Sequence, residues 1–203
     1  MKIICIGRNY AEHAKELGNE IPEEPVIFMK PETALYDIKE PFFIPDFISS
    51  LHYECELVLH ICKTGKNVSE KQASEYYNAI TVGIDFTARD VQDYCKKKGL
   101  PWEKAKAFDN SAVVGQMTPI VQPIDIKKIQ FSFLKNGQKV QDGNSADMLF
   151  NFNSIIHHIT KYFRINEGDL IFTGTPAGVG ECKSGDKLEA FLEDRSLLKM
   201  EIS

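Results

Sequence analysis

The sequence predicts an α+β fold with a largely antiparallel or mixed sheet core. Three observations point there. Apolar, β-branched runs of strand length outnumber amphipathic helical stretches. Several runs are joined by short turn-forming links, most clearly where Asn136-Gly137 sits between 129–134 and 139–140. Strands and helices do not alternate regularly, as a doubly wound parallel sheet would require.

The elements follow in order. Residues 2–6 read as a strand, then Gly7-Arg8-Asn9-Tyr10 leads to a short helix over 11–17, which Gly18-Asn19 closes as a left-handed cap. A proline-containing loop precedes a strand at 26–29. Residues 30–50 are irregular apart from a short strand at 42–44. An acid-bearing strand spans 54–61, a turn 63–67, and Ser69 with Gln72 forms a capping box for a helix reaching about 76. A strand ends at Asp85, and Thr87, with Asp90 three residues on, caps a helix running to Lys98 and stopping at Gly99. After the hairpin, 148–163 form an apolar helix with Ile155, Ile156, Ile159 and Phe163 on one side. Asn166-Glu167-Gly168-Asp169 turns into a strand at 170–172, and strands at 187–191 and 197–202 close the chain.

The 203 residues fit one domain, 1–203, long enough for a substantial core. A net charge of -5 gives no global attraction to nucleic acid or to an anionic membrane. Lys96-Lys97-Lys98 ends a predicted helix and complements its dipole. No apolar run approaches the length of a membrane span. The five cysteines are odd in number and form no C-x-x-C pair, which suits reduced thiols in the cytoplasm.

Glu54 and Glu56 interrupt an otherwise strand-forming run, Leu51-His52-Tyr53-Glu54-Cys55-Glu56-Leu57. Alternation along a strand points both to one face, where they repel unless a cation lies between them, and turns Cys55 the other way. Asp85 supplies a third hard oxygen donor at the end of another apolar strand, a set that suits Mg2+, Mn2+ or Ca2+. By itself E-x-E equally suits a solvated sheet face. His13 and Glu16 are three apart on a helix, so a carboxylate can orient the imidazole as a base, although such pairs are also common on surfaces. Lys106 lies among aromatics, where a lysine can meet an enolate or a carboxylate, although most lysines are merely solvated. Thr173-Gly174-Thr175-Pro176-Ala177-Gly178-Val179-Gly180 is neither a Walker loop nor a dinucleotide fingerprint; its amides and hydroxyls suit a carboxylate, or simply a tight turn.

Together these segments resemble the fumarylacetoacetate hydrolase family, and within it the acylpyruvate hydrolase branch. The resemblance rests on Gly7-Arg8-Asn9-Tyr10-Ala11-Glu12-His13, the 51–57 run, Asp85-Phe86-Thr87-Ala88-Arg89-Asp90-Val91-Gln92, Lys97-Lys98-Gly99-Leu100-Pro101-Trp102, Ala105-Lys106, Asn136-Gly137 and 167–180, in the family's order. It implies packed, rolled β-sheets with peripheral helices, usually in a homodimer, with 1–50 forming a lid and pocket segment. It implies that Glu54, Glu56 and Asp85 hold Mg2+ or Mn2+, that His13 and Glu16 are a catalytic dyad, and that Lys106 lies near the enolate. It places Arg8, Gln92 and Thr175 at substrate. The reaction it implies is hydrolysis of a carbon–carbon bond in an acylpyruvate, giving pyruvate and a carboxylic acid. The alternatives are oxaloacetate decarboxylation or tautomerisation, isomerisation of a dienoic diacid, or a non-catalytic metal-binding module. The chain departs from the family pattern at 107–111, where a glycine usually follows the lysine, and in the last hairpin at 192–196.

Overall fold

The computed structural model describes every residue except 17, 19, 38, 121–125 and 127. In chain order the elements are β1 (Ile3–Gly7), α1 (Ala11–Glu16), β2 (Val26–Lys30), β3 (Leu51–Tyr53), β4 (Cys55–Ile61), β5 (Tyr77–Asp85) and β6 (Thr87–Ala88). Then come α2 (Arg89–Lys98), α3 (Glu103–Lys106), β7 (Ala112–Val114), β8 (Thr118–Pro119), β9 (Gln130–Lys135) and β10 (Gln138–Asn144). The chain closes with α4 (Phe152–Tyr162), β11 (Leu170–Phe172), β12 (Gly180–Cys182), β13 (Lys187–Leu192) and β14 (Arg195–Glu201). No described helix is long and apolar enough to cross a membrane.

The strands form three sheets. The largest runs β2-β1-β11-β4-β5-β7, with β8 also on β5; the second runs β10-β9-β13-β14; the third is β12-β3-β6. Among the described residues only the β1–β11 ladder is parallel, so the core is the mixed, largely antiparallel α+β arrangement that the hairpin links imply. β13 and β14 lie against β5, and β9 against β4, so the first two sheets enclose one apolar cluster.

Alternation sorts the large sheet's two faces. Ile4, Ile6, Leu57, Leu59, Ile80, Val82 and Ile84 join the main cluster, whereas Ile3, Cys5, Val58 and Phe172 form a smaller one on the opposite face. Glu56 and Asp85 share the parity of Val58, which carries them away from the main core. Cys55 points into that core, as the strand reading requires.

Several expected elements change for local reasons. The 54–61 strand starts one residue late, as β4: Glu54 falls between β3 and β4, and its carbonyl accepts from Asp85 N at 2.8 Å. The 42–44 strand is absent; flanked by Pro41 and Pro45, Phe42 makes one isolated bridge to Ile202. Ser69 Oγ bonds the Gln72 side chain at 2.7 Å instead of a backbone amide, and only a 3-10 turn, Ala73–Glu75, follows. Thr87 is not a helix cap. It belongs to β6, its Oγ1 accepts from Lys106 Nζ at 2.6 Å, and Asp90 instead accepts from Ser49 Oγ at 2.6 Å.

The last helix begins four residues later than its apolar pattern, because Asn151 Oδ1 accepts from Asn153 N and Ser154 N, both at 3.0 Å, and caps it there. Phe163 lies beyond its end and is exposed, while Ile155, Ile156 and Ile159 are buried, each worth about 1.5–3 kcal/mol of transfer free energy. The short pieces β6, β7, β8 and α3 give no periodic signal in sequence. The left-handed turns stand as read at Gly18 (φ 63), Gly99 (φ 65) and Asn136-Gly137 (φ 54 and 78). The expected helix end at Leu17 and cap residue Asn19 lie outside the described residues.

Candidate metal centre

Sheet register builds the centre. Glu56 lies opposite Gly83 in the β4–β5 ladder, so Asp85, two residues on and on the same face, ends β5 beside it. Glu54 joins them from the β3–β4 break. One carboxylate oxygen from each lies within 4.8 Å of the others, and all three residues are buried.

Two sides of this cluster differ in what meets the carboxylates. On one side are cations. Lys106 Nζ, at the end of α3, is 2.7 Å from both Glu54 Oε2 and Asp85 Oδ2, and its third proton goes to Thr87 Oγ1. Arg89 donates to Glu54 Oε1 at 2.5 Å and to Gln92 Oε1 at 2.6 Å. Lys30, buried at the end of β2, stands 2.8 Å from Asp85 Oδ1. It also donates to Ser111 O and Ser111 Oγ at 3.1 and 3.0 Å and makes a close contact with the Lys106 carbonyl.

On the other side are backbone amides. Gly174 N donates to Glu56 Oε2 at 2.7 Å, and Gly178 N donates to both Glu16 oxygens at 3.1 Å. Both glycines have positive φ, 104 and 97. A Cβ would lie 2.7 Å from Asn9 Cβ at the first and 2.1 Å from Val140 O at the second, so the loop needs glycine at each. The carboxylate-holding role that the 173–180 composition suggests is thus filled by two of the protein's own side chains.

This asymmetry sets the protonation states. Burial opposes charge on Glu54, but Lys106 and then Arg89 overcome it and hold the carboxyl below its usual range. Burial, reinforced by Asp85 and Glu54, pushes Glu56 well above that range, against the opposing pull of the Gly174 amide and then of Lys106. For Lys106, burial is outweighed by Asp85 and Glu54, so its pKa rises and it stays charged.

The donor set fits a hard divalent cation: three carboxylates, no thiol or imidazole among them, and Asp85 Oδ1 buried without an aligned hydrogen-bond donor. The Lys106 ammonium between Glu54 and Asp85 already shows that this gap accommodates positive charge.

The remaining candidates gather in one cleft over the cluster, lined by Arg8, His13, Gln92, Lys106, Thr175 and Trp102, with Glu54 and Glu56 in its floor. His13 is buried, with Nδ1 3.4 Å from Glu16 Oε2. Burial lowers its pKa against the opposing pull of Glu54 and Glu16, which favours the neutral imidazole that a base requires. Gln92 has its carbonyl engaged by Arg89, so its amide protons are what it can offer a ligand. Thr175 gives its hydroxyl proton to Cys55 O at 2.8 Å and accepts from Gln141 at 2.8 Å, so toward a ligand it can only accept. Sequence reasoning left Lys30 and Arg89 without roles and read Thr87 as a helix cap, not as an acceptor for Lys106. Arg89 was within reach, since 89, 92 and 96 recur at helical spacing and all three face the cleft.

Comparison with known proteins accords with this arrangement. Residues 2–203 match the family model described as fumarylacetoacetate (FAA) hydrolase C-terminal. Oxaloacetate tautomerase YcgM of Escherichia coli (strain K12) is 42% identical over 197 residues, covering 97% of this chain and 90% of its own length. The crystal structure of a fumarylacetoacetate hydrolase family protein from Yersinia pestis CO92 superposes with a TM-score of 0.95 at 40% identity, covering 100% of this chain and 93% of that one. Fumarylpyruvate hydrolase from Pseudomonas aeruginosa, solved in complex with Mn2+ and pyruvate, superposes with a TM-score of 0.93 at 32% identity, covering 100% and 89%.

Proposed function

Because the chain belongs to the fumarylacetoacetate hydrolase family, we propose that it is a divalent-metal-dependent enzyme interconverting the keto and enol forms of oxaloacetate. The observation that carries this reading is a buried three-carboxylate cluster, two of whose members line the same cleft as a neutral, carboxylate-oriented histidine. The 42% identity to an oxaloacetate tautomerase across nearly the whole chain supports oxaloacetate over other 2-oxo acids. The earlier expectation of acylpyruvate hydrolysis therefore becomes the second reading.

Glu54, Glu56 and Asp85 would hold Mg2+ or Mn2+, which when bound supplies Lewis-acid polarisation of the 2-oxo group. The residues carry the proton. His13, with Glu16 fixing its ring through Nδ1, takes a proton from C3 of the keto form at its other nitrogen. The C–H pair becomes the C2–C3 double bond, and His13 returns the same proton to the oxygen at C2, which completes the enol and restores the neutral ring. Lys106 contributes its fixed charge near that oxygen: its three protons are engaged by Glu54, Asp85 and Thr87, so its help is electrostatic. Gln92, Arg8 and Thr175 position the substrate. The working unit is a cytoplasmic homodimer acting on a small 2-oxo acid.

The test is the decay of enol absorbance after mixing enol oxaloacetate with protein plus Mg2+ or Mn2+. Acceleration that EDTA abolishes supports the reading, and decay no faster than in buffer refutes it. The hydrolytic reading is favoured specifically by the His13–Glu16 pair, since such a dyad can also activate water, and by the fumarylpyruvate hydrolase relative. Metal-dependent release of pyruvate from acetylpyruvate, followed by coupled reduction to lactate, would establish it.

A further inference from the structure

We infer that Lys96, set against Trp102 beside Arg8, is the specificity-determining cation for the second carboxylate of a short dicarboxylate substrate. This rests on the reading of the cleft as a 2-oxo-acid site.

Sequence alone assigns Lys96 to a basic run that complements the end of α2. The structure separates it from that run. Lys97 and Lys98 are exposed, whereas Lys96 is half-buried and lines the cleft on the same helical face as Arg89 and Gln92. Its Nζ lies 5.8 Å from the centre of the Trp102 ring, and Arg8 Cζ lies 6.0 Å from the same ring. One indole thus gathers two cations at one end of the cleft. Arg8 also holds a left-handed backbone conformation (φ 59), which a non-glycine residue adopts at an energetic cost and which recurs at functional sites.

Among the described residues, Arg8 and Lys96 make no salt bridge and no side-chain hydrogen bond. The other cations of the site are engaged: Arg89 pairs with Glu54, Lys106 with Glu54 and Asp85, and Lys30, beneath the cleft, with Asp85. With Glu56, which pairs with no cation among the described residues, this cluster of three cations and three carboxylates sums to zero formal charge before any ion enters. A dication would leave it with two surplus positive charges, and Arg8 with Lys96 adds two more. A dianion suits such a cleft better than a monoanion. Burial, followed by the nearby Arg89 and Arg8, lowers the Lys96 pKa, the direction expected of a cation awaiting a counter-charge.

The experiment is calorimetric titration of the Mn2+-loaded protein with two unreactive 2-hydroxy acids, malate and lactate, which differ in the distal carboxylate. The wild type should prefer malate. Lys96→Met should reduce malate affinity about 10–100-fold, the worth of one charge-assisted hydrogen bond, and leave lactate binding as it was. Lys96→Arg should restore the preference, which a merely structural role would not predict. Equal wild-type affinity for both acids, or a malate preference that survives Lys96→Met, would overturn the subsite while leaving the 2-oxo-acid reading in place. Equal weakening of both acids would overturn it too. Binding of neither acid would overturn the subsite together with the reading it rests on.

Discussion

Glu54 and Glu56 sit two residues apart at similar depth and are met by opposite means. Glu54, with Asp85 beside it, faces Lys106, Arg89 and Lys30; Glu56 takes a hydrogen bond from the Gly174 amide and makes no ion pair among the described residues, and farther along that loop the Gly178 amide meets Glu16. The first arrangement completes its charge pairing as the chain folds. The second leaves a buried carboxylate without a full counter-charge, a state that is costly until a cation arrives. The contrast separates the scaffold of the site from the part that responds to ligand. Substitutions on the cation side should therefore register in stability, and those on the amide side in binding and turnover.

The largest effect expected on the amide side is at His13. His13→Ala should lower turnover about 10²–10⁴-fold, the usual worth of a positioned base, with metal affinity retained in calorimetry. Full turnover in the variant would remove the base from that side. On the cation side, Lys30→Met leaves Asp85 Oδ1 without its nearest cation in a fully buried place. It should cost about 3–5 kcal/mol of unfolding free energy by denaturant titration, and a near-neutral result would break the contrast. Glu56→Gln preserves shape and removes a ligand. Metal affinity should fall by more than the ~10–100-fold typical of losing an outer partner, with little loss of stability in the metal-free protein.

The smallest effect is a tilt with pH. Glu56 is held above its unfolded value, so its share of stability is present below the ordinary carboxylate range and is lost as pH rises through the raised value. Glu54 runs the other way: its share is present above the unfolded value and is lost only as acid reaches the depressed one. Metal-free wild type should therefore lose ground against Glu56→Gln as pH rises, by up to about 1.4 kcal/mol per pH unit. Parallel stability curves would refute this difference between the glutamates.

Much of this was legible in the chain. Alternation predicts that Glu56 and Asp85 leave the main core, and i,i+3 spacing predicts that His13 meets Glu16. The break after Tyr53 was not legible, because Glu54 remains in a strand-like run and only its bond to Asp85 N reveals the kink. Lys30 was equally silent: it ends an ordinary apolar strand, and nothing local says that the ammonium turns inward to a residue far along the sequence. Thr87 misled because the hydroxyl that makes a good helix cap also makes a good acceptor for Lys106. Local pattern reports which face a side chain leaves by, but not the distant partner waiting there.

Lys30 also ties assembly to chemistry. Its ammonium reaches groups contributed by residues 85, 106 and 111, all of which lie far downstream of it in the chain. The edge strand β2 therefore carries the counter-ion of the site as well as a place in the sheet. Any opening of that edge, by fraying or by a nick in the irregular stretch that follows, would withdraw a positive charge from beneath Asp85. Local loosening at that edge would then silence the enzyme before the sheets themselves came apart.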